Sequence, residues 1–292
     1  MKALLLHIGI DTSNWFTAQI DAPVFDDGCF EFIPIVEHWR EVSHSASRGW
    51  YVRRKHEGQH VVEKRGESEE RGIWTSETRT YSEASATNKE YGRTLADYVP
   101  FEYHDVIMHY DPDFTNCTYA DQICDSRGKQ IIKLDPNDYI FFVQSLAPFT
   151  HETYSIKTAE RIAQFQKGLM AKCIVGYFKV HDSYHIMRDE SAMTIISSFE
   201  DVTDKLDSDL SERINRNVHS KRDEDDYFIV VGEKSQSMLL RKAIRITERG
   251  SPFHPNATGF KIYGDKCFPR GFKWICNETI IDILLDLCRS GV

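Results

Sequence analysis

Several common signatures are missing from this 292-residue sequence, and each absence narrows its class. The seven cysteines (Cys29, Cys117, Cys124, Cys173, Cys267, Cys276 and Cys288) stand singly, with no C-x-x-C pair. An odd, scattered set does not make a disulfide framework and fits reduced thiols in the cytoplasm. The N-x-[ST] sequences starting at Asn116, Asn256 and Asn277 then carry no meaning as glycosylation acceptors. No apolar run approaches membrane-spanning length, and His7 and Asp11 interrupt the opening MKALLLHIGIDTSNW before it takes signal-peptide form. No glycine-rich phosphate cradle, G-x-S-x-G elbow or H-E-x-x-H helix occurs, so the usual nucleotidase, kinase, hydrolase and metalloprotease signatures are absent. Positive charge is also short: a net charge of -9 argues against a protein that coats DNA, where affinity comes mainly from basic side chains on phosphates.

What remains is ordinary globular composition, with 41% hydrophobic and 12% aromatic residues. We read one domain over residues 1–292, large enough to bury a core without staples. Residues 41–96 are polar and poor in aliphatics and are expected to be a long surface insertion. Within that insertion SRGWYVRRK sets Trp50 and Tyr51 among Arg48, Arg53, Arg54 and Lys55, a composition suited to base stacking beside phosphates. Charge is uneven along the chain. Residues 241–273 hold eight Lys or Arg against Glu248 and Asp265, a local +6 that leaves -15 for the rest. Such asymmetry suits one anionic partner on one face, or simply a solvated basic surface.

The apolar runs predict strands at residues 4–10, in FEFIPI, VIMHY and DYIFFV, and in CIVGYFKV, DYFIVVG and KAIRIT. Helical spacing is present over residues 158–172, over 199–216, where Phe199, Val202, Leu206, Leu210 and Ile214 form one stripe, and in the final ETIIDILLDLC. Strands and helices mix without a βαβ repeat. The expected class is therefore α+β, with a mixed, largely antiparallel sheet, or a PUA-like barrel, and flanking helices.

The densest polar stretch is HYDPDFTNCTYAD, where His109, Asp111, Asp113, Thr118, Tyr119 and Asp121 follow an apolar strand. Three carboxylates and an imidazole can act as general acid and base or hold a hard cation, and loops at strand ends commonly carry function. The same Asp residues are also ordinary turn formers. Cys117 and Cys124 with His104 and His109 lack zinc-knuckle spacing and read better as free thiols and surface histidines. Asp11 closes the first strand in GIDT and either points into a cleft or caps the next turn. Ser235 opens SQSMLLRK after a glycine, so its hydroxyl and amides can meet a phosphate at a helix start; alternatively Met238, Leu239 and Leu240 simply pack inward.

Taken in order, IGIDT, PVFDDGCFEFIPI, HYDPDFTNCTYAD, DYIFFVQSL, IVGYF and FIVVGEKSQSMLLRKAI resemble the third type of nucleotide-modification-associated domain, found among systems for altered DNA bases. The resemblance covers residues 8–244. One departure is Ala120, where the family pattern has the glycine of T-Y-G-D and hence a tight turn. The stretch over residues 138–180 is also similar in layout to EVE and PUA-like modules, by fold-level analogy only. The resemblance implies a protein that acts on or holds a nucleotide or DNA base in a carboxylate-lined pocket. Asp11, His109, Asp111, Asp113 and Asp121 are its candidate catalytic residues. Thr118, Tyr119, Phe142, Tyr177, Ser235, Arg241 and Lys242 are its candidate substrate contacts. The partners implied are a nucleotide or DNA and other DNA-modification enzymes, with no membrane. The cofactor and any metal are left open. The alternatives are a reader that stacks a base on Phe141, Phe142, Tyr177 or Phe178 without altering it, and an interaction protein docking through the acidic helix of residues 199–216.

Overall fold

The computed structural model describes residues 1–8, 23–25, 27–30, 32, 35–36, 73–75, 107–109, 112–148, 170–189, 192–197, 208–217, 226–264, 267 and 271–290. The first half of the chain supplies β1 (Ala3–His7), β2 (Pro23–Val24), β3 (Ile35–Val36), β4 (Ile73–Thr75), β5 (Ile107–His109), β6 (Thr118–Gln122), α1 (Gly128–Ile131) and β7 (Tyr139–Pro148). The second half supplies β8 (Ala171–Asp189), β9 (Ala192–Ser197), α2 (Ser208–Arg216), β10 (Asp226–Gly232), β11 (Met238–Arg245), β12 (Thr247–Glu248) and β13 (Ser251–Pro255). It closes with α3 (Ala257–Tyr263), β14 (Phe272–Ile275) and α4 (Glu278–Ser290).

Nine strands form one open sheet in the order β14-β1-β7-β8-β10-β6, with β2 added on β7 and β9 and β11 on β8. Only β1 and β2 run parallel to β7; the other pairings in this sheet are antiparallel. The class is therefore α+β with a mixed, largely antiparallel sheet. Among the described residues the sheet does not close into a barrel. Small sheets β12-β13 and β3-β5-β4 accompany it.

The 19-residue β8 is the spine. Its first half pairs with β7 and β11, and its second half with β10 and β9. A bulge shifts the β7 register between Phe142 and Val143, so Val143 faces Ile174 after Phe142 has faced Gly176. Gly176 is required there, because a Cβ would lie 2.4 Å from the Phe114 ring. That close approach lets Phe114 pack edge-on against Phe142 and Phe178 at centroid distances of 5.5 and 5.3 Å.

Both faces of the sheet are covered, which is why its central strands read as near-continuous apolar runs rather than as an alternation. In β10, Phe228 and Val230 join the larger core while Tyr227, Ile229 and Val231 join a second one with Leu210 and Ile214 of α2. In α4, Ile281, Leu284, Leu285 and Cys288 recur at helical spacing and are buried, and Asn277 accepts a hydrogen bond from the Thr279 amide at the helix start.

Two expectations are corrected, and the doubt that Ala120 casts on a tight turn is met. Residues 158–169 of the expected helix lie outside the described residues, and Ala171 and Lys172 at its far end belong to β8. SQSMLLRK does not open a helix: after a 3-10 turn (Lys234–Gln236) it becomes β11, with Leu240 buried. Nor does T-Y-A-D make a tight turn, because β6 runs straight through Ala120, which pairs with Ile229. Of the expected helix over 199–216, the described part is α2, and of the 41–96 insertion only β4 is described.

Candidate functional site

The segment that begins at Asp113 is a tight turn feeding β6. Asp113 Oδ1 accepts the amides of Thr115 (2.9 Å) and Asn116 (3.1 Å), and Oδ2 accepts the Asn116 side-chain amide at 2.6 Å. This is the turn-forming role open to any Asp in a loop. Cys117 follows at φ 52, a left-handed conformation uncommon outside glycine. Burial pushes its thiol up. The turn is pinned from α2: Arg213, itself buried, donates to the carbonyls of Asn116 (2.7 Å), Cys117 (3.4 Å) and Gly232 (2.6 Å). Asn217 donates to Thr118 Oγ1 at 3.1 Å.

Beyond Thr118 the alternation of β6 sends successive side chains to opposite faces. Tyr119 and Asp121 share one face. The Tyr119 hydroxyl donates to Asp121 Oδ2 at 3.1 Å, the Gln122 amide donates to Oδ1 at 3.0 Å, and Arg127 Nε lies 3.0 Å from Oδ2. Asp121 is 5% exposed, so it is a buried carboxylate held by a phenol, an amide and a guanidinium. The Tyr119 ring in turn lies 5.6 Å from that of Phe142.

The other candidates disperse. Phe142 and Tyr177 are both buried, and they face opposite sides of the sheet, since Phe142 pairs with Gly176 and Tyr177 with Phe141. Ser235 is exposed and gives its hydroxyl to Glu233 at 3.0 Å. Hydrogen bonds from Lys179, Gln236 and Ser235 hold the Glu233 carboxyl below its usual range. Arg241 and Lys242 are exposed on β11, in the stretch between Leu239 and Ile244 where the register with β8 shifts. Lys242 pairs with Cys29 through a backbone bridge. Burial opposes ionisation of Asp27, but hydrogen bonds from Cys29 and the charge of Lys242 bring its carboxyl below the usual range. His109 ends β5, paired with Ile35 and Ile73. Asp11 and Asp111 lie outside the described residues, as do Trp50, Tyr51 and the basic residues around them, Lys266 and Arg270.

Three interior polar residues escaped the sequence reading. His7 ends β1, and its Nδ1 lies 2.8 Å from Nζ of Lys172, which is 6% exposed at the start of β8. The Lys172 amide donates to Thr247 Oγ1 at 2.8 Å. Gln144, 1% exposed in β7, has neither atom of its side-chain amide hydrogen-bonded among the described residues. Their common signal was a single polar residue inside an apolar strand, as in LLLHI, IFFVQSL and MAKCIV. Among the described residues no group of three or more His, Cys, Asp or Glu gathers into a metal-binding cluster, and no helix is long and apolar enough to cross a membrane.

Fold and site together define an α+β protein with an open mixed sheet, interior polar groups at strand ends and a basic strand near one margin. No curated protein and no solved structure matches the chain. A family model does: the chain belongs to the family of nucleotide modification associated domain 3, whose model matches residues 2–258.

Proposed function

We propose that the chain, acting as one cytoplasmic domain, takes part in modifying a nucleotide or a DNA base that is held beside β6, with Asp121 as its proton-handling group. Family membership supports the nucleotide. The observation that carries the site is Asp121. Burying a carboxylate is costly unless it is paired and hydrogen-bonded, and Asp121 has a phenol and a guanidinium as partners, both able to orient it and to respond to a change in its charge. Asp11 and Asp111 complete the carboxylate lining in this proposal, His109 adds an imidazole to it, and Asp113 shapes the turn that aims it. Whether the chemistry is acid–base or metal-assisted follows from which of these groups faces the base. Thr118 and Tyr119 contact the substrate, while Ser235, Arg241 and Lys242 meet its phosphate.

Mass spectrometry of nucleosides from DNA incubated with the protein and cell extract tests this. A new nucleoside mass that disappears with Asp121→Asn supports the assignment. The same mass at parental yield in that variant rejects Asp121, and no new mass under any condition rejects the enzymatic reading in favour of base binding alone.

A further inference from the structure

We infer that β11, the β12–β13 hairpin and α3 form a landing surface for a single strand of nucleic acid, in which Phe260 stacks a base while Arg245, Arg249 and Lys261 hold backbone phosphates. Of the described large apolar side chains Phe260 is the most exposed, at 51%, and it belongs to neither core. It makes no aromatic contact among the described residues. A single exposed phenylalanine needs no explanation, but this one stands in an unbalanced field of charge. Residues 241–264 carry Arg241, Lys242, Arg245, Arg249 and Lys261 against Glu248 alone. Elsewhere Lys2, Arg216, Lys234 and Arg289 each reach a carboxylate. Arg245, Arg249 and Lys261 are exposed and have no carboxylate partner among the described residues.

The fold brings the ring and the cations together, because α3 is seated on the backbone at the end of β11. The Asn256 side chain accepts the Gly259 amide at 2.8 Å and donates to the Arg245 carbonyl at 2.9 Å, and the Asn256 backbone amide donates to the Ile246 carbonyl at 3.2 Å. A Cβ on Gly259 would lie 1.9 Å from that Ile246 oxygen, so the helix packs directly on the strand. Ile262 and Tyr263 are buried, which leaves Phe260 and Lys261 on the outer side of α3. Arg245 pairs with Cys173 across the strands. Burial raises the Cys173 thiol, and the charges of Arg245 and Arg249 both oppose that rise, so the two guanidinium groups share one flank. Exposed cations beside an exposed ring are the parts a single strand needs: phosphates meet the charge, and an unpaired base lays its face on the ring. A duplex keeps its bases stacked on one another and has no free face for Phe260. Phe260 and Lys261 lie beyond residues 2–258 matched by the family model, so this surface does not follow from family membership. Nor does it rest on the chemistry proposed beside β6.

The test measures the full chain by fluorescence anisotropy with a labelled oligothymidylate and with the same strand annealed to its complement, and by sedimentation with vesicles containing phosphatidylserine. The parent should bind the single strand more tightly than the duplex. Phe260→Ala should weaken single-strand binding about tenfold, as the loss of one stacked base implies, and leave its salt slope unchanged. Phe260→Trp should restore the affinity. Arg249→Gln and Lys261→Gln should each reduce the slope by about 0.7, the value for one phosphate contact on a single strand. Because Phe260 is exposed, both ring variants should melt as the parent does; if either does not, the two charge variants decide. Parental affinity in a folded Phe260→Ala, unchanged slopes in both charge variants, equal affinity for the duplex, or no strand binding by the parent overturns the surface. Binding confined to the vesicles overturns it too, as a membrane contact. Strand binding without any new nucleoside mass would keep this surface while removing the enzymatic reading, and a new mass without strand binding would do the reverse.

Discussion

Tyr119 and Arg127 converge on a single oxygen, Oδ2 of Asp121, at 3.1 and 3.0 Å. The carboxylate is thus oriented by a buried neutral donor on its own strand and by a half-exposed cation at the start of α1. Asp121→Asn keeps the shape and the acceptor for Tyr119 but removes the charge opposite Arg127. We expect about 1–3 kcal/mol lost in urea unfolding and, if Asp121 moves a proton, a rate lower by roughly 10² to 10⁴. Tyr119→Phe should cost about 1 kcal/mol of stability and less activity than Asp121→Asn. Equal activity losses in the two variants would mean that phenol and carboxylate act as one unit, and a larger loss in Tyr119→Phe would move the step to the phenol.

Arg213 gathers the carbonyls of Asn116, Cys117 and Gly232 and so ties the turn before β6 to the end of β10. Arg213→Met removes the guanidinium donor from the Asn116 and Gly232 carbonyls, while Cys117 O keeps the Gly232 amide at 2.7 Å, and should cost about 2–5 kcal/mol. Arg213→Lys should recover only part of that, since one ammonium cannot reproduce the fork. Urea midpoints of the three proteins check the order, and full rescue by lysine would show that charge alone is what the site needs.

How much of this was legible beforehand depended on the residue type. Strands β1, β7, β8 and β10 announced themselves as dense apolar runs, and α4 by its spacing, because burial on both faces leaves an unmistakable composition. β6 hid inside HYDPDFTNCTYAD because its interior positions include Thr118 and Asp121, polar groups satisfied by Tyr119 two residues away on the same face and by Asn217 and Arg127 from outside the strand. Such partners are set by tertiary structure, which a linear pattern does not contain. For the same reason Phe142 and Tyr177, two aromatic residues in neighbouring apolar runs, looked like members of one stacking pocket, although strand register sends them to opposite faces.

The interior thiols make stability depend on alkaline pH. Burial raises Cys173 and Cys288 to about 12, from an ordinary 9.0. A group whose folded pKa is raised gives stability that is complete below its unfolded pKa and is lost as pH climbs toward the folded one. Between about pH 9 and 12 each thiol should therefore remove about 1.4 kcal/mol of unfolding free energy per pH unit. Replacing both residues with alanine should flatten this alkaline slope while lowering stability at neutral pH. An unchanged slope would place the alkaline sensitivity in other groups. Under native conditions thiol labelling should reach the exposed Cys124, Cys267 and Cys276 well before Cys29, Cys117, Cys173 or Cys288.

On β11, Arg241, Lys242 and Arg245 are exposed. The proposed anion-binding role predicts that reversing all three to glutamate weakens nucleotide or DNA binding and flattens its dependence on salt, since fewer counterions are released. Unchanged affinity and salt slope would return this strand to the status of a solvated basic edge. Lys242 alone is the least informative of the three, because its charge also acts on Asp27.

Gln144 offers the sharpest separation of stability from function. An amide with both atoms buried and unpartnered among the described residues carries the full desolvation cost of a donor and an acceptor, about 1–3 kcal/mol for each group. If folding were its only role, leucine of similar size would serve better in a strand whose neighbours Phe141, Phe142 and Val143 are all apolar. Gln144→Leu should therefore hold or raise the melting temperature, by about 2–4 °C for each kcal/mol recovered. Ligand binding should fall in the same variant if the amide is reserved for a donor–acceptor pair on a bound base, the pairing that carboxamides make with base edges. Thermal melts and nucleoside titrations of the two proteins decide the matter. A clear loss of melting temperature would show that the amide is satisfied within the fold, and a gain with unaltered nucleoside affinity would show that its cost is not offset by base recognition.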